Sequence, residues 1–274
     1  MILVANDVSI VRRPVTRVTG RSRETRDDAL AVERALEMRV DARSLAVTLR
    51  TPGHDRELAR GFMAGAGVIR GKADVVAVRE TSADCIDAPD VLDVTLGTGT
   101  VVDWTKFERH FVATAACGLC GRAHLDALRA GLVPMSPGPR VDAEALLALP
   151  ARVRGEQATF EATGGLHAAV WCDGAVEPRV LREDVGRHNA VDKVCGWLLE
   201  QGRRPVGEGL LWVSGRAGAE LVLKAARAGI PAMAAVGAPS SLAVELAEIA
   251  GMTLIGFLRE GRMNVYAGEA RVAG

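Results

Sequence analysis

From Gly164 onward the chain alternates short apolar runs with helical stretches, and small residues sit at the junctions; no other feature restricts the fold as much. Residues 167–172, 210–214, 232–236 and 253–257 read as strands. Residues 185–200, 219–228 and 241–250 read as helices, the last two closed by Gly229-Ile230-Pro231 and by Gly251. A further helix over 150–161 is expected ahead of Gly164-Gly165. Such alternation predicts a layered α/β domain with a mainly parallel sheet, whose ligands sit where strands end and helices begin.

The first part of the chain has a different texture. Alternation over 35–40 and 44–49, joined by Asp41-Ala42-Arg43, predicts a hairpin, with a helix after Thr51-Pro52-Gly53-His54-Asp55 and strands at 75–79 and 91–96. This is an α+β pattern with little visible chemistry. Small and polar residues dominate 97–121, and Pro134-Met135-Ser136-Pro137-Gly138-Pro139 marks a linker. The expected division is therefore an N-terminal α+β domain over 1–110, a linking stretch over 111–135 and a ligand-binding domain over 136–274.

Charge excludes whole classes of partner. Lys+Arg and Asp+Glu balance at 34 each, so no overall field suits nucleic acid, a membrane surface or an acidic polymer, and any anion site must be local. Only four of the cations are lysines, which leaves arginine, the residue suited to forked phosphate contacts. No apolar run reaches the roughly 20 residues that a membrane helix needs, and the start has neither a basic leader nor an apolar core; a cytoplasmic protein is expected.

Five cysteines, Cys85, Cys117, Cys120, Cys172 and Cys195, give an odd count without framework spacing, which argues against structural disulfides. Cys117-Gly118-Leu119-Cys120-Gly121 admits three readings. A thioredoxin-like redox pair would sit after a first strand, and this one lies between two domains. Zinc would need further donors, and none of the five histidines has glutamate two residues later, so deaminase chemistry has no general acid/base. The third reading is persulfide carriage: one thiolate accepts sulfane sulfur and its neighbour later attacks the inner sulfur, expelling sulfide. Glycines around both thiols favour sulfur or redox chemistry over a closed metal cage.

The C-terminal half carries the candidate acceptor site. His167 follows Gly164-Gly165, where backbone can approach a ligand, and is either a ligand contact or a structural histidine opening a strand. The stretch from Glu183 to Lys193 contains Asp184, placed to cap the following helix, and Arg187, His188, Asn189 and Lys193, which are either a charged, solvated first turn or, the favoured reading, donors suited to an anion at a helix start. Ser214-Gly215-Arg216 and Ala238-Pro239-Ser240-Ser241 are further small-residue turns before helices, although the spacing is not that of a dinucleotide fingerprint. Within Phe257, Leu258, Arg259, Glu260, Gly261 and Arg262, the paired arginines around the glycine either clasp a pyrophosphate or stack on a ring, or the stretch is an ordinary turn between strands.

Taken together, the 117–121, 160–167, 183–193 and 256–266 blocks resemble the FdhD family, the formate dehydrogenase accessory sulfurtransferases, from about Arg34 to Ala267. The resemblance implies a C-terminal domain similar to the cytidine deaminase fold without its zinc, a homodimer, and binding of molybdenum bis(molybdopterin guanine dinucleotide), which a guanine nucleotide would mimic. It implies that Cys117 carries a persulfide drawn from a cysteine desulfurase, that Cys120 is its partner, and that the sulfur reaches the molybdenum before the cofactor enters formate dehydrogenase. It also assigns 257–262 to cofactor contact, whereas His167, Arg187, His188 and Arg216 rest on their own chemistry. The wording of the 214–216 and 238–241 turns departs slightly from the family's, which is richer in serine and threonine. Two readings compete with sulfur transfer: a non-catalytic chaperone for the cofactor or a guanine nucleotide, and a zinc-stabilised nucleotide-binding module.

Overall fold

In a computed structural model, the described residues are 9–83, 88–107, 132, 134–135, 138, 140–203 and 206–274. The chain opens with a two-stranded ribbon, β1 (Ile10–Thr19) and β2 (Ser22–Ala31), paired through ten residues each and mostly exposed. Next come β3 (Arg34–Val40), β4 (Arg43–Arg50), α1 (Asp55–Gly65), β5 (Val75–Thr81) and β6 (Asp90–Leu96). The four strands after the ribbon form a sheet in the order β4-β3-β6-β5. Leu58 and Met63 of α1 pack over Leu36, Met38, Leu92 and Val94 of that sheet.

The second half contains β7 (Val141–Asp142), α2 (Ala143–Arg154), α3 (Ala158–Thr163), β8 (His167–Cys172), β9 (Pro178–Asp184) and α4 (Arg187–Glu200). It continues with β10 (Leu210–Val213), α5 (Ala219–Ala228), β11 (Ala232–Ala235), α6 (Ser241–Ile249), β12 (Thr253–Arg259), β13 (Arg262–Ala267) and β14 (Val272–Ala273). Six of these strands form one sheet in the order β13-β12-β11-β10-β8-β9. Successive side chains of a strand point to opposite faces, so Leu211 and Val213 join α4, α5 and α6, while Leu210 and Trp212 join Leu146, Leu149 and Val153 of α2. Each fully buried leucine stabilises the layers by about 1.5–3 kcal/mol.

Two expectations are corrected. The sheet is mixed: β10–β11 and β11–β12 are parallel, whereas β8–β9, β8–β10 and β12–β13 are antiparallel. Parallel neighbours need a crossover helix, which α5 and α6 provide, but the short links after Cys172 and Arg259 allow only reversal. The helix expected over 150–161 is two helices, α2 and α3, because α2 starts earlier, at an Asp142 cap whose Oδ1 accepts from the Ala145 N–H (2.7 Å), and stops at Gly155. The ribbon was not foreseen.

The two sheets are joined by a close crossing of α1 and α4. A β-carbon on Gly61 would lie 1.8 Å from the Asp192 carbonyl oxygen, and one on Gly196 would lie 1.9 Å from the Glu57 carbonyl oxygen. Each helix therefore presents a glycine to the other's backbone. Beside this crossing, buried Arg182 pairs with Glu57, its Nη2 donating to Glu57 Oε1 (2.7 Å). Although burial opposes it, Arg182 together with His54 holds the Glu57 carboxyl below its usual value.

Candidate functional site

The β8 strand runs opposite to β10, so its first residue, His167, lies at the same edge as the carboxyl ends of β9, β10, β11 and β12. Backbone hydrogen bonds stitch the turns beyond these ends together. Ala168 N–H donates to Ser214 Oγ (2.9 Å), Gly237 N–H to the Gly215 carbonyl (2.9 Å), and Phe257 N–H to the Gly237 carbonyl (3.1 Å). With neighbouring strands about 4.8 Å apart, the edge from β8 to β12 spans about 14 Å, long enough for a nucleotide.

Close approach explains the glycine at 237. A β-carbon on Gly237 would come 3.0 Å from Arg216 Cα and Cγ, whereas one on Gly215 would make only ordinary contact, 3.5 Å from His167 Nδ1. His167 itself is placed by α3 and the Gly164 turn that follows it. The Glu183 carboxylate accepts from the Thr159 and Phe160 N–H groups (3.1 and 2.8 Å), closing the start of α3.

His167, Arg187 and His188 form one electrostatic group. Burial lowers the His167 pKa and the Arg187 charge lowers it further, against the opposing pull of Asp184. His188 is brought down to about 4, first by burial and then by Arg187, Lys224 and His167, although Glu220 opposes the shift from 3.2 Å. Among the described residues Arg187 and Arg216 have no hydrogen-bond or ion-pair partner. Both α4 and α5 begin at glycines without a side-chain cap. Uncapped N–H groups, guanidiniums without an ion-pair partner and half-buried imidazoles together make an edge able to receive an anion.

Three residues of the 183–193 stretch act differently from the expectation. Asp184 does not cap α4, because it ends β9, two residues ahead of the Gly186 N-cap, and is fully buried. Its Oδ1 accepts from Gly186 N–H (2.8 Å) and Asn189 Nδ2 (3.1 Å), and its Oδ2 pairs with Lys193 Nζ (2.7 Å). Asn189 and Lys193 are not ligand donors here. Asn189 Nδ2 also donates to the Leu49 carbonyl (2.8 Å), and Lys193 Nζ to the Thr51 and Glu183 carbonyls (2.9 and 3.2 Å).

Phe257 and the following residues divide by depth. Phe257 holds a left-handed backbone (φ 52°), a conformation that costs a bulky residue about 1–3 kcal/mol and concentrates at functional places. Leu258 is fully buried against the α2 side of the sheet, so its side chain is engaged in packing. Arg259, Glu260, Gly261 and Arg262 form an exposed hairpin tip in which Arg259 faces Arg262 across the ladder. Like charges placed directly opposite are destabilising unless an anion lies between them.

Sequence reasoning missed Glu220, Lys224, Asp192 and Thr51. Lys224 Nζ bonds both Asp192 oxygens (2.7 and 2.8 Å), and burial still pushes the Asp192 carboxyl up to about 6. Only the polar positions on the apolar faces of α4 and α5 signalled this pair. Cys117 and Cys120, like Cys85, lie outside the described residues. Among the described residues no group of three or more His, Cys, Asp or Glu side chains is arranged to hold a metal, and no helix is long and apolar enough to cross a membrane.

Fold and edge together define a mixed α/β protein whose sheet edge gathers several turns, two uncapped helix starts and the Arg187 and Arg216 guanidiniums. The sequence profile of the FdhD/NarQ family matches residues 31–273, and the chain belongs to that family. It is 46% identical over 269 residues to the sulfur carrier protein FdhD of Streptomyces avermitilis, covering 96% of this chain and 95% of that one. With the protein of the same name from Nocardia farcinica it shares 48% identity over 266 residues, 95% and 94% of the two chains. The crystal structure of a putative formate dehydrogenase accessory protein from Desulfotalea psychrophila matches its fold with a TM-score of 0.75 at 22% identity, over 96% of this chain and 99% of that one.

Proposed function

We propose that this protein is a cytoplasmic sulfur carrier. Cys117 accepts sulfane sulfur from a cysteine desulfurase: its thiolate attacks the terminal sulfur of the donor's persulfide, the donor leaves as a thiolate, and Cys117 becomes a persulfide. Cys120 then attacks the inner sulfur, releasing hydrosulfide to molybdenum bis(molybdopterin guanine dinucleotide), the substrate, before that cofactor enters formate dehydrogenase. The resulting Cys117–Cys120 disulfide returns to the dithiol on two-electron reduction by an external thiol.

The observation that carries this reading is the convergence of His167, Arg187, His188, Arg216 and the 257–262 hairpin on one sheet edge, in a chain of this family. The guanine nucleotide phosphates of the substrate are the anions that such an edge suits. Relatives named as sulfur carriers support the sulfur step. The mixed sheet with helices on both faces supports a cytidine-deaminase-like C-terminal layer beside an α+β domain. The ribbon, which exposes Val11, Val18 and Leu30, supports pairing with a second copy.

The test is mass spectrometry after incubation with a desulfurase and cysteine. A one-sulfur adduct is expected on wild type and absent from Cys117→Ala. No adduct on wild type, or an unchanged one on the variant, rejects the carrier role. The same edge would also serve an escort without sulfur chemistry, and in that case Cys117→Ala and Cys120→Ala would leave formate dehydrogenase maturation intact.

A further inference from the structure

We infer that Asp184 is the positioning residue of the anion edge, holding the first turn of α4, and with it Arg187 and His188, against Thr51 of the N-terminal half. The inference rests on the edge being a ligand site, and it assigns the N-terminal sheet a role there: it braces the edge from behind.

The geometry converges on one carboxylate. Asp184 is the strand partner of His167, and two residues later the chain enters α4. One oxygen gathers Gly186 N–H and Asn189 Nδ2, which fixes the bend into the helix. The other receives Thr51 N–H (3.2 Å) and the Lys193 ammonium. A buried ion pair needs only its two partners, but this one gathers donors from three directions.

Thr51 completes the brace with every polar group it has. Its N–H goes to Asp184, its Oγ1 accepts from Val185 N–H (3.2 Å), and its carbonyl accepts from Lys193 Nζ (2.9 Å). Val185 lies between Asp184 and the Gly186 N-cap, so Thr51 grips both sides of the bend. Space is equally tight, since a β-carbon on Gly186 would stand 3.0 Å from Asn189 Nδ2 and 3.4 Å from Asp184 Oδ1. Arg187 and His188 are the next two residues, so their direction follows from this bend.

The experiment measures GDP affinity by calorimetry and the His167 and His188 titrations by NMR, in wild type, Thr51→Val, Thr51→Ser, Asp184→Asn and Arg60→Gln. Arg60 pairs with Glu200 at the far end of α4, so its loss weakens the same interface away from the edge. Thr51→Val should lower GDP affinity about five-fold, the worth of one hydrogen bond, and Thr51→Ser should restore it. Arg60→Gln should lower the melting temperature and leave affinity unchanged. Asp184→Asn should move the His167 titration further down, because the carboxylate charge that favours the imidazolium is gone. Unchanged affinity in Thr51→Val with an unmoved His167 titration in Asp184→Asn overturns the inference, as does an Arg60→Gln as weak as Thr51→Val. Should Asp184→Asn not fold, the Thr51→Val and Thr51→Ser pair decides by affinity and by the His188 titration. Wild type that fails to bind GDP rejects the nucleotide reading of the edge, while the titrations still decide the positioning role.

Discussion

Gly61 on α1 and Gly196 on α4 are mutually exclusive with any β-carbon, each facing the backbone carbonyl of the opposite helix, at Asp192 and Glu57. Gly61→Ala and Gly196→Ala should each destabilise the protein by about 2–3 kcal/mol, at the upper end of overpacking costs. Because both substitutions push the same two helices apart, the double variant should lose less than the sum. Urea unfolding of the three variants checks this, and additive losses would mean that the helices do not move together.

The neighbouring Glu57–Arg182 pair predicts a pH effect of definite sign. Glu57 is held below its ordinary 4.5, so its contribution is present above 4.5 and is lost as pH falls through the lower folded value. Glu57→Gln should cost about 3–5 kcal/mol at pH 7 by leaving Arg182 buried without its counter-charge. In acid the gap between variant and wild type should narrow, as chemical unfolding at pH 7 and pH 3 would reveal.

Arg187→Ala and Arg216→Ala should each weaken GDP binding by about ten- to a hundred-fold, the range for a charge-assisted hydrogen bond. Arg187→Lys should recover only part of the loss, since an ammonium lacks the guanidinium fork. Calorimetry at two salt concentrations reads both effects.

Ligand binding should take up protons. His188 titrates near 4 and His167 below its usual value while the edge is cationic, and an anion beside Arg187 would lift both. GDP affinity should therefore rise from pH 7 toward pH 5, with less of a rise in His188→Gln. Calorimetry in buffers of different ionisation enthalpy counts the protons, and pH-independent binding would contradict the placement of the anion.

Cys172 should stay inert throughout. Burial pushes its thiol up to about 12, so alkylation of the native protein at pH 8 and persulfide loading should both leave it unmodified.

What could be read from the sequence followed from locality. The strands at β8, β10, β11 and β12 were legible because each is a short apolar run ended by small residues, and that pattern placed His167, Arg187, His188 and Arg216 at strand or helix ends. Strand direction was not legible, since it depends on which links are crossovers. The β1–β2 ribbon escaped because its strands carry Arg12, Arg13, Arg17, Glu24, Asp27 and Asp28 in place of an apolar face, and Pro14 interrupts the first. Asn189 and Lys193 looked like ligand donors because their partners, Leu49 and Thr51, are far away along the chain. No local spacing reveals such a contact.

The α1–α4 seam has a mechanical consequence. Where backbone meets backbone there is no rotamer to switch and no side chain to slide, so the two helices behave as a weld. In the proposed site, Arg187 and His188, mounted on the welded helix, would be the stationary jaw. Any opening needed to admit the proposed nucleotide would then fall to the exposed tip across the edge, where Arg259 faces Arg262 and a phosphate would relieve their repulsion.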